Sequence, residues 1–217
     1  VGTFMDSNGD GCGDFEGLTR RLNYLESLGI DAIWIGPFQT SPNKDNGYDI
    51  ADFYSVDKRF GSNGDYVEFM NHAKSRGIRV LIDLVVNHTS DQHEWFRQSR
   101  SDESSPRRDW YVWSKERPKN WKQGMVFPGV QKTTWTRDPE AKAYYYHRFY
   151  DFQPDLNMDN DDVRTEVRRI MGFWLELGVS GFRVDAVPFV IEGSPTASGR
   201  KPPQHFEYLA QMRSFLE

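Results

Sequence analysis

The strongest constraint on the fold is a unit that occurs three times: a helical segment, a glycine, and then a nearly continuous apolar run. The helical segments are FEGLTRRLNYLESLG, DYVEFMNHAKSRG and DDVRTEVRRIMGFWLELG, which stop at Gly29, Gly77 and Gly178. The apolar runs IDAIWIGPF, IRVLIDLVV and VSGFRVDAV follow them. Apolar residues at nearly every position are typical of parallel strands buried on both faces. The pattern therefore predicts an α/β fold, either a barrel or a doubly wound sheet.

Local signals add detail to these elements. The short stretch VGTFM, at residues 1–5, predicts an additional strand ahead of the first helix. The first helix is predicted as one continuous element, because leucines recur at helical spacing from Leu18 to Leu28. Asp65 is the predicted N-cap of the second helix.

A long segment separates the second unit from the third. It spans about 70 residues, 89–158, where a strand-to-helix connection normally takes only a few. The segment is rich in Trp, Tyr and Phe, which predicts a small core built from aromatic side chains or, as the alternative, a lobe that faces a saccharide. We therefore divide the chain into residues 1–88, an inserted domain at 89–158, and a continuation at 159–217.

Composition excludes several classes of protein. The net charge is −5, which argues against a nucleic-acid-binding surface because such surfaces are usually basic. No apolar run approaches the ~20 residues of a membrane span. Cys12 is the single cysteine, so no internal disulfide forms. No signal peptide is visible, which predicts a cytoplasmic protein, although the chain begins at Val1 and leaves a preceding leader open. The oligomeric state is not predicted.

Polar side chains follow the predicted strands at the positions where α/β barrels carry function. Tyr48 and Asp49 lie after the first full strand, and His88 follows the second. Arg183 and Asp185 lie in the third, and they point to the same side because side chains alternate along a strand. An arginine beside an aspartate favours the ionised carboxylate, which suits a nucleophile. A buried structural salt bridge is the alternative interpretation.

Four motifs occur together in a fixed order: GYDIADFYSVDKRFG, DLVVNH, QPDLN and GFRVDA. In this combination the chain resembles the α-amylase family of retaining glycoside enzymes over essentially its whole length. QPDLN is similar to the branch of α-glucosidases, oligo-1,6-glucosidases and trehalose synthases. The resemblance implies the N-terminal half of a (β/α)8 TIM barrel. It also implies that segment 89–158 is the family's domain B, inserted after the third strand.

The resemblance implies a role for each strand-end residue. Asp185 matches the catalytic nucleophile that forms a glycosyl-enzyme, and Arg183 matches the arginine that keeps this aspartate charged. His88 matches a histidine that donates to a sugar hydroxyl. Asp49 matches an aspartate that grips the non-reducing glucose, and Tyr48 matches a tyrosine that stacks on its ring.

Two further aspartates are expected to be structural. Asp83 is expected to orient Arg183 from the neighbouring strand. Asp155, within QPDLN, is expected to support domain B.

The family's second catalytic carboxyl is not found in these residues. Retaining glycosidases need two carboxyl groups ~5–5.5 Å apart, and the family's acid is a glutamate at the end of the fifth strand. Four strands are predicted here, and Glu192, Glu207 and Glu217 do not match that motif. A (β/α)8 barrel takes ~250 residues. We therefore expect a chain truncated at both ends, which continues past Glu217 and is inactive as written.

The expected substrate is a small saccharide such as maltose, a malto-oligosaccharide or trehalose. The sequences of the insert and of FRVDAVPFVIE resemble those of trehalose synthases. Maltose isomerisation and α-glucoside hydrolysis both stay open as activities. Ala186, directly after the nucleophile, favours α-1,4 over α-1,6 linkages by the same resemblance. A non-catalytic relative that binds carbohydrate or serves a transporter is the alternative function.

The loop DSNGDGCGD, at residues 6–14, predicts a metal site. It is not an EF-hand, because Gly17 stands at position 12, where that motif needs a bidentate glutamate, and no helix precedes it. Hard oxygen ligands favour structural Ca²⁺, and no organic cofactor is expected. A hydrogen-bonded turn without metal is the alternative. The predicted ligands are the side chains of Asp6, Asn8, Asp10 and Asp14 and the backbone carbonyl of Cys12.

Overall fold

The computed structural model describes residues 1–190, 192 and 206–217. These residues form two compact units. The first comprises Val1–Leu84 and Arg169–Val184, and the second comprises Val85–Arg168 and Asp185–Glu217.

The helices and strands are numbered here in chain order. The helices are α1 (Phe15–Arg20), α2 (Leu22–Ser27), α3 (Asn63–Ser75), α4 (Glu94–Ser101), α5 (Asp161–Glu176), α6 (Val187–Val190) and α7 (Phe206–Leu216), with a 3₁₀ turn at Arg108–Trp110. The strands are β1 (Ala32–Ile35), β2 (Gln39–Thr40), β3 (Asp52–Val56), β4 (Arg79–Leu84), β5 (Trp113–Ser114), β6 (Trp135–Asp138), β7 (Ala143–Tyr146) and β8 (Gly181–Val184).

A parallel sheet with the strand order β1-β4-β8 organises the first unit. Its three strands are the three predicted apolar runs, and the prediction of parallel strands is confirmed. Asp83 of β4 and Arg183 of β8 are direct neighbours in the register. A short antiparallel pair, β2 and β3, lies between β1 and α3, and the loop 41–51 that connects this pair carries two of the predicted site residues.

The glycines that follow the helices explain why the chain turns into the strands where it does. Gly29, Gly77 and Gly178 have φ values of 75°, 71° and 100°, a left-handed conformation that ends a helix at little steric cost. The helix start is less well predicted. Ser62, not Asp65, is the N-cap of α3, and Asp65 accepts a hydrogen bond from the Ser62 backbone in a reciprocal capping box.

Two predictions about the start of the chain are wrong. Residues 1–5 form a turn, because the amide of Phe4 donates to the Val1 carbonyl and the Gly2 carbonyl accepts from Gly13. The predicted single helix is two helices, α1 and α2. They break at Arg21, whose amide donates to the carbonyl three residues back, Leu18, in a tighter turn than the α-helix allows.

An aromatic cluster forms much of the core of the first unit. The rings of Phe38 and Tyr66 each lie 5.1 Å from Trp174, edge to face, and Phe15 packs edge-on against both Phe38 and Tyr66. The Trp174 indole N–H donates to the Phe53 carbonyl at 3.0 Å, so the buried ring has its polar group satisfied. This core lies in the same unit as the sheet that carries Asp83 and Arg183.

The second unit contains an antiparallel sheet with the strand order β5-β7-β6. Six aromatic residues of the predicted insert are buried, and these are Phe96, Trp110, Tyr111, Trp135, Tyr145 and Tyr146. Their burial supports the interpretation that aromatic side chains of this segment build a small core. The boundaries 89–158 stay a prediction.

None of the described helices combines the length and the apolar composition that crossing a bilayer requires.

Candidate active site

Asp83 is the centre of a hydrogen-bonded group at the carboxyl ends of two parallel strands. Its side chain is fully buried; Oδ1 accepts from Arg183 Nη1 at 2.9 Å and Oδ2 from the Tyr48 hydroxyl at 3.2 Å. The predicted pairing of Asp83 with Arg183 is confirmed. Arg183 is 42% exposed, and its guanidinium lies 5.1 Å from the centre of the Trp34 ring. The carboxylate therefore fixes the direction of an arginine that remains accessible to a ligand.

Asp49 is buried within the loop that connects β2 and β3. It is 0% exposed, and its carboxylate accepts hydrogen bonds from the Ser41 hydroxyl and from the amides of Lys44 and Asp45. Its oxygens hold loop 41–51 together. The predicted contact of Asp49 with a sugar stays a prediction. Asp45, four residues earlier in the same loop, is the aspartate that is only half-buried.

His88 is 2% exposed and lies four residues after the end of β4. The side chain of Asn87 lies 3.3 Å from its Nδ1, and the Phe149 ring lies 5.1 Å away between ring centres. The backbone of His88 also forms an isolated β-bridge with Asp155. These contacts fix the imidazole, and its role in binding sugar stays a prediction.

Asp155 is a buried carboxyl group next to this histidine. It is 6% exposed, and burial raises its pKa to about 7, although hydrogen bonds from the Arg148 amide and from Asn87 act in the opposite direction. Its Oδ1 accepts from the Arg148 amide at 2.8 Å. The carboxyl group is therefore used inside the second unit, in agreement with the expected structural role.

Asp185 occupies the first position after β8 and is half-buried. The next residue, Ala186, has a φ of 53°, a left-handed conformation that is uncommon outside glycine, and α6 begins immediately afterwards. A sharp strand-to-helix turn with backbone strain is typical of a functional position. The turn at Asp185 and Ala186 is therefore consistent with a catalytic role, which stays a prediction.

Two of the other glutamates considered above form ion pairs. Glu192 forms an ion pair with Arg148, and Glu217 forms one with Arg213 at 2.9 Å.

Side-chain oxygens of the loop 6–14 accept hydrogen bonds from backbone amides of the same loop. Asp6 accepts from the amides of Gly11 and Gly9, hydrogen bonds that lower its pKa. Asn8 and Asp10 each accept from the amide two residues on. Within the residues that the structure describes, no group of three or more acidic, His or Cys side chains is arranged to hold a metal ion.

Asp14 connects the loop 6–14 to helix α1. It caps α1 through the Gly17 amide and also accepts from the Ser7 amide and hydroxyl. Burial alone would raise the pKa of Asp14, but these hydrogen bonds outweigh it and the pKa is lowered. The oxygen donors of the loop have the chemistry that calcium requires, and Asp6, Asn8, Asp10 and Asp14 with the Cys12 carbonyl are the residues that would hold it.

Sequence reasoning missed Arg148, which contacts several separate stretches of the second unit. The signal in the sequence is weak, because Arg148 lies within HRFYDF, outside the four motifs that carry the family resemblance. Its partner Glu192 is 44 residues away, so their pairing depends on the tertiary fold.

Comparison with known proteins identifies close relatives. The profile of the alpha-amylase catalytic domain matches residues 2–217. Trehalose synthase/amylase TreS of Mycolicibacterium smegmatis is 46% identical over 217 residues, all of this chain and 36% of that protein. Oligo-1,6-glucosidase of Bacillus cereus is 46% identical over 200 residues, 89% of this chain and 35% of that protein.

A solved structure agrees with these sequence relatives. The trehalulose synthase MutB from Pseudomonas mesoacidophila MX-45 superposes with a TM-score of 0.79 at 47% identity, over 86% of this chain and 33% of that chain. The chain thus spans about a third of the length of the relatives it matches.

Proposed function

The chain belongs to the α-amylase family, and from this membership we propose that its protein is a retaining enzyme that processes α-glucosides. The proposed substrates are maltose and short α-glucans. The proposed activity is either isomerisation of maltose to trehalose or hydrolysis of terminal glucosyl groups. Relatives named trehalose synthase and oligo-1,6-glucosidase support this class. Segment 89–158 serves as the family's inserted domain, and the protein works in the cytoplasm.

The observation that carries the proposal is the arrangement around Asp83. This buried carboxylate orients Arg183 and Tyr48 at the ends of the parallel strands, which is where barrel enzymes bind their substrates. Arg183 precedes Asp185 by two residues along the chain, which is the spacing of the motif GFRVDA.

The proposed reaction has two steps with balanced proton transfers. The Asp185 carboxylate attacks the anomeric carbon, the glycosidic C–O bond breaks, and a second carboxyl group gives its proton to the leaving oxygen. Water or a sugar hydroxyl then attacks the glucosyl ester, returns a proton to the second group and releases Asp185. We assign this second group to a part of the gene product outside these 217 residues.

Three other residues bind the sugar in this proposal. Tyr48 packs on the glucose ring, and His88 donates to a hydroxyl group. Within loop 41–51 we assign the charged sugar contact to Asp45, because Asp49 is consumed by internal hydrogen bonds.

The activity is tested by incubating the complete gene product with maltose and separating glucose from trehalose by chromatography. Trehalose as the main product identifies an isomerase, and glucose alone identifies a hydrolase. A complete gene product that leaves maltose, malto-oligosaccharides and trehalose unchanged contradicts the proposal.

We further propose that the loop 6–14 binds structural Ca²⁺. Calcium at about 100 times its dissociation constant is expected to add about 2.7 kcal/mol to stability, and chelation should remove that gain. The double variant Asp6→Ala/Asp10→Ala should lose the calcium-dependent shift in Tm.

The control for this experiment is Asp102→Asn. Asp102 is another exposed aspartate that accepts from a backbone amide two residues on, that of Ser104. This variant should keep the full calcium response. An equal response in the loop variant and the control excludes the loop as the calcium site.

A further inference from the structure

Arg148 connects three stretches of the second unit that are far apart in sequence. It lies just after β7, and its side chain is 15% exposed. Its Nη1 donates to the Gly124 carbonyl at 3.2 Å, and its guanidinium forms an ion pair with Glu192. The guanidinium carbon also lies 4.8 Å from the centre of the Phe189 ring on α6.

The surroundings of Arg148 are shaped to this side chain. Gly124 has a φ of 75°, and a Cβ atom there would lie 2.7 Å from Arg148 Nη1, so a larger residue would displace the guanidinium. The backbone is fixed as well, because the Arg148 amide donates to the buried Asp155 carboxyl group at 2.8 Å. An exposed ion pair is worth little, but Arg148 is only 15% exposed, is held by its backbone amide and packs on an aromatic ring.

The residues held by Arg148 belong to the candidate site. Phe149, the next residue, packs against His88 with ring centres 5.1 Å apart and against Phe189 with centres 5.4 Å apart. Phe189 lies four residues after Asp185 along the chain. The Arg148–Glu192 pair therefore joins the segment that follows the proposed nucleophile to the ring that covers the proposed sugar-binding histidine.

We propose that Arg148 and Glu192 form a latch that holds α6 and Phe149 in place and thereby sets how the glucosyl-enzyme divides between a sugar acceptor and water. The inference rests on the proposed function. In the second step the ester bond to Asp185 breaks as an acceptor oxygen bonds to the anomeric carbon. The acceptor's proton passes to the second carboxylate. A site that stays closed excludes water and favours the sugar acceptor.

Arg148 is a positioning residue in this scheme, because it acts through Phe149 and α6. Its loss should change the partition of products and not simply the total rate. Breaking an ion pair that orders these segments should raise the ratio of hydrolysis to transfer by about tenfold.

The experiment uses the complete gene product with maltose as donor and acceptor. Initial rates of free glucose and of transferred product are measured for Arg148→Gln, Glu192→Gln and the double variant. Both single variants should raise the hydrolysis-to-transfer ratio, and the double variant should do no more than either, because the two side chains act as one unit. Arg148→Lys, which keeps the charge but not the planar stack on Phe189, should be intermediate.

The matched control is Arg100→Gln. Arg100 lies in the same unit, pairs with Asp138 at 2.8 Å and Glu140 at 3.3 Å, and packs over the Phe96 ring. Its replacement should lower Tm and leave the product ratio unchanged.

The outcomes separate the latch from the proposed function. A wild type that transfers glucosyl groups, with the same product ratio in folded Arg148→Gln and Glu192→Gln, overturns the latch and leaves the function standing. A change of the same size in Arg100→Gln also overturns it, because the effect then follows from general destabilisation. A wild type that neither turns over nor binds α-glucosides overturns both.

Discussion

Replacing Asp185 by asparagine is expected to lower kcat on α-glucosides by about 10⁴-fold or more, with the protein still folded. The amide has the size of the carboxylate but is a far weaker nucleophile, so the glucosyl ester does not form. Asp185 is half-buried at a strand-to-helix turn, and an isosteric change there should leave Tm near that of the wild type.

The covalent intermediate gives the direct measurement. A fluorinated glucosyl donor slows the second step, so that the labelled peptide accumulates and can be mapped by mass spectrometry. The label should lie on Asp185 in the wild type and in the remote control Asp102→Asn, and it should be absent from Asp185→Asn. A label on any other residue ends the assignment of the nucleophile.

The parallel sheet was predictable because its signals are local. Each strand is a short apolar run that follows a helix and a glycine, and the glycines adopt the positive φ that ends the helix. Residues 1–5 have a similar composition, but their backbone groups pair with each other and with Gly13. Composition alone does not show which partner a backbone hydrogen bond will find.

The candidate site was predictable where it depends on the sheet and unpredictable where it depends on loops. Asp83 and Arg183 are neighbours because parallel strands align their carboxyl ends, which the motif order already implied. The Arg148–Glu192 pair joins residues 44 apart through irregular segments, and no periodicity reports such a contact. Asp45 and Asp49, four residues apart in DNGYD, look equivalent in the sequence. The structure distinguishes them, because Asp49 is buried and Asp45 is half-buried.

Asp45→Asn is expected to lower activity without loss of stability, and Asp49→Asn is expected mainly to lower stability. Asp45 is half-buried, and in the proposed function its carboxylate accepts hydrogen bonds from the glucose hydroxyl groups. Loss of this charge should lower kcat/KM by about 10²-fold, the range of hydrogen bonds to a charged group, with Tm unchanged.

Asp49→Asn should instead reduce stability by about 1–3 kcal/mol. The carboxylate accepts from the amide of Lys44 through one oxygen and from Ser41 and Asp45 through the other. An asparagine keeps one acceptor and turns an NH₂ group toward a donor, which leaves a buried N–H without a partner. Denaturant unfolding measures this loss as a lower midpoint with an unchanged m-value. The kcat/KM of Asp49→Asn, corrected for the folded fraction, should fall less than that of Asp45→Asn. If Asp49→Asn were fully stable yet lost activity 10²-fold, while Asp45→Asn kept its activity, the sugar contact would return to Asp49.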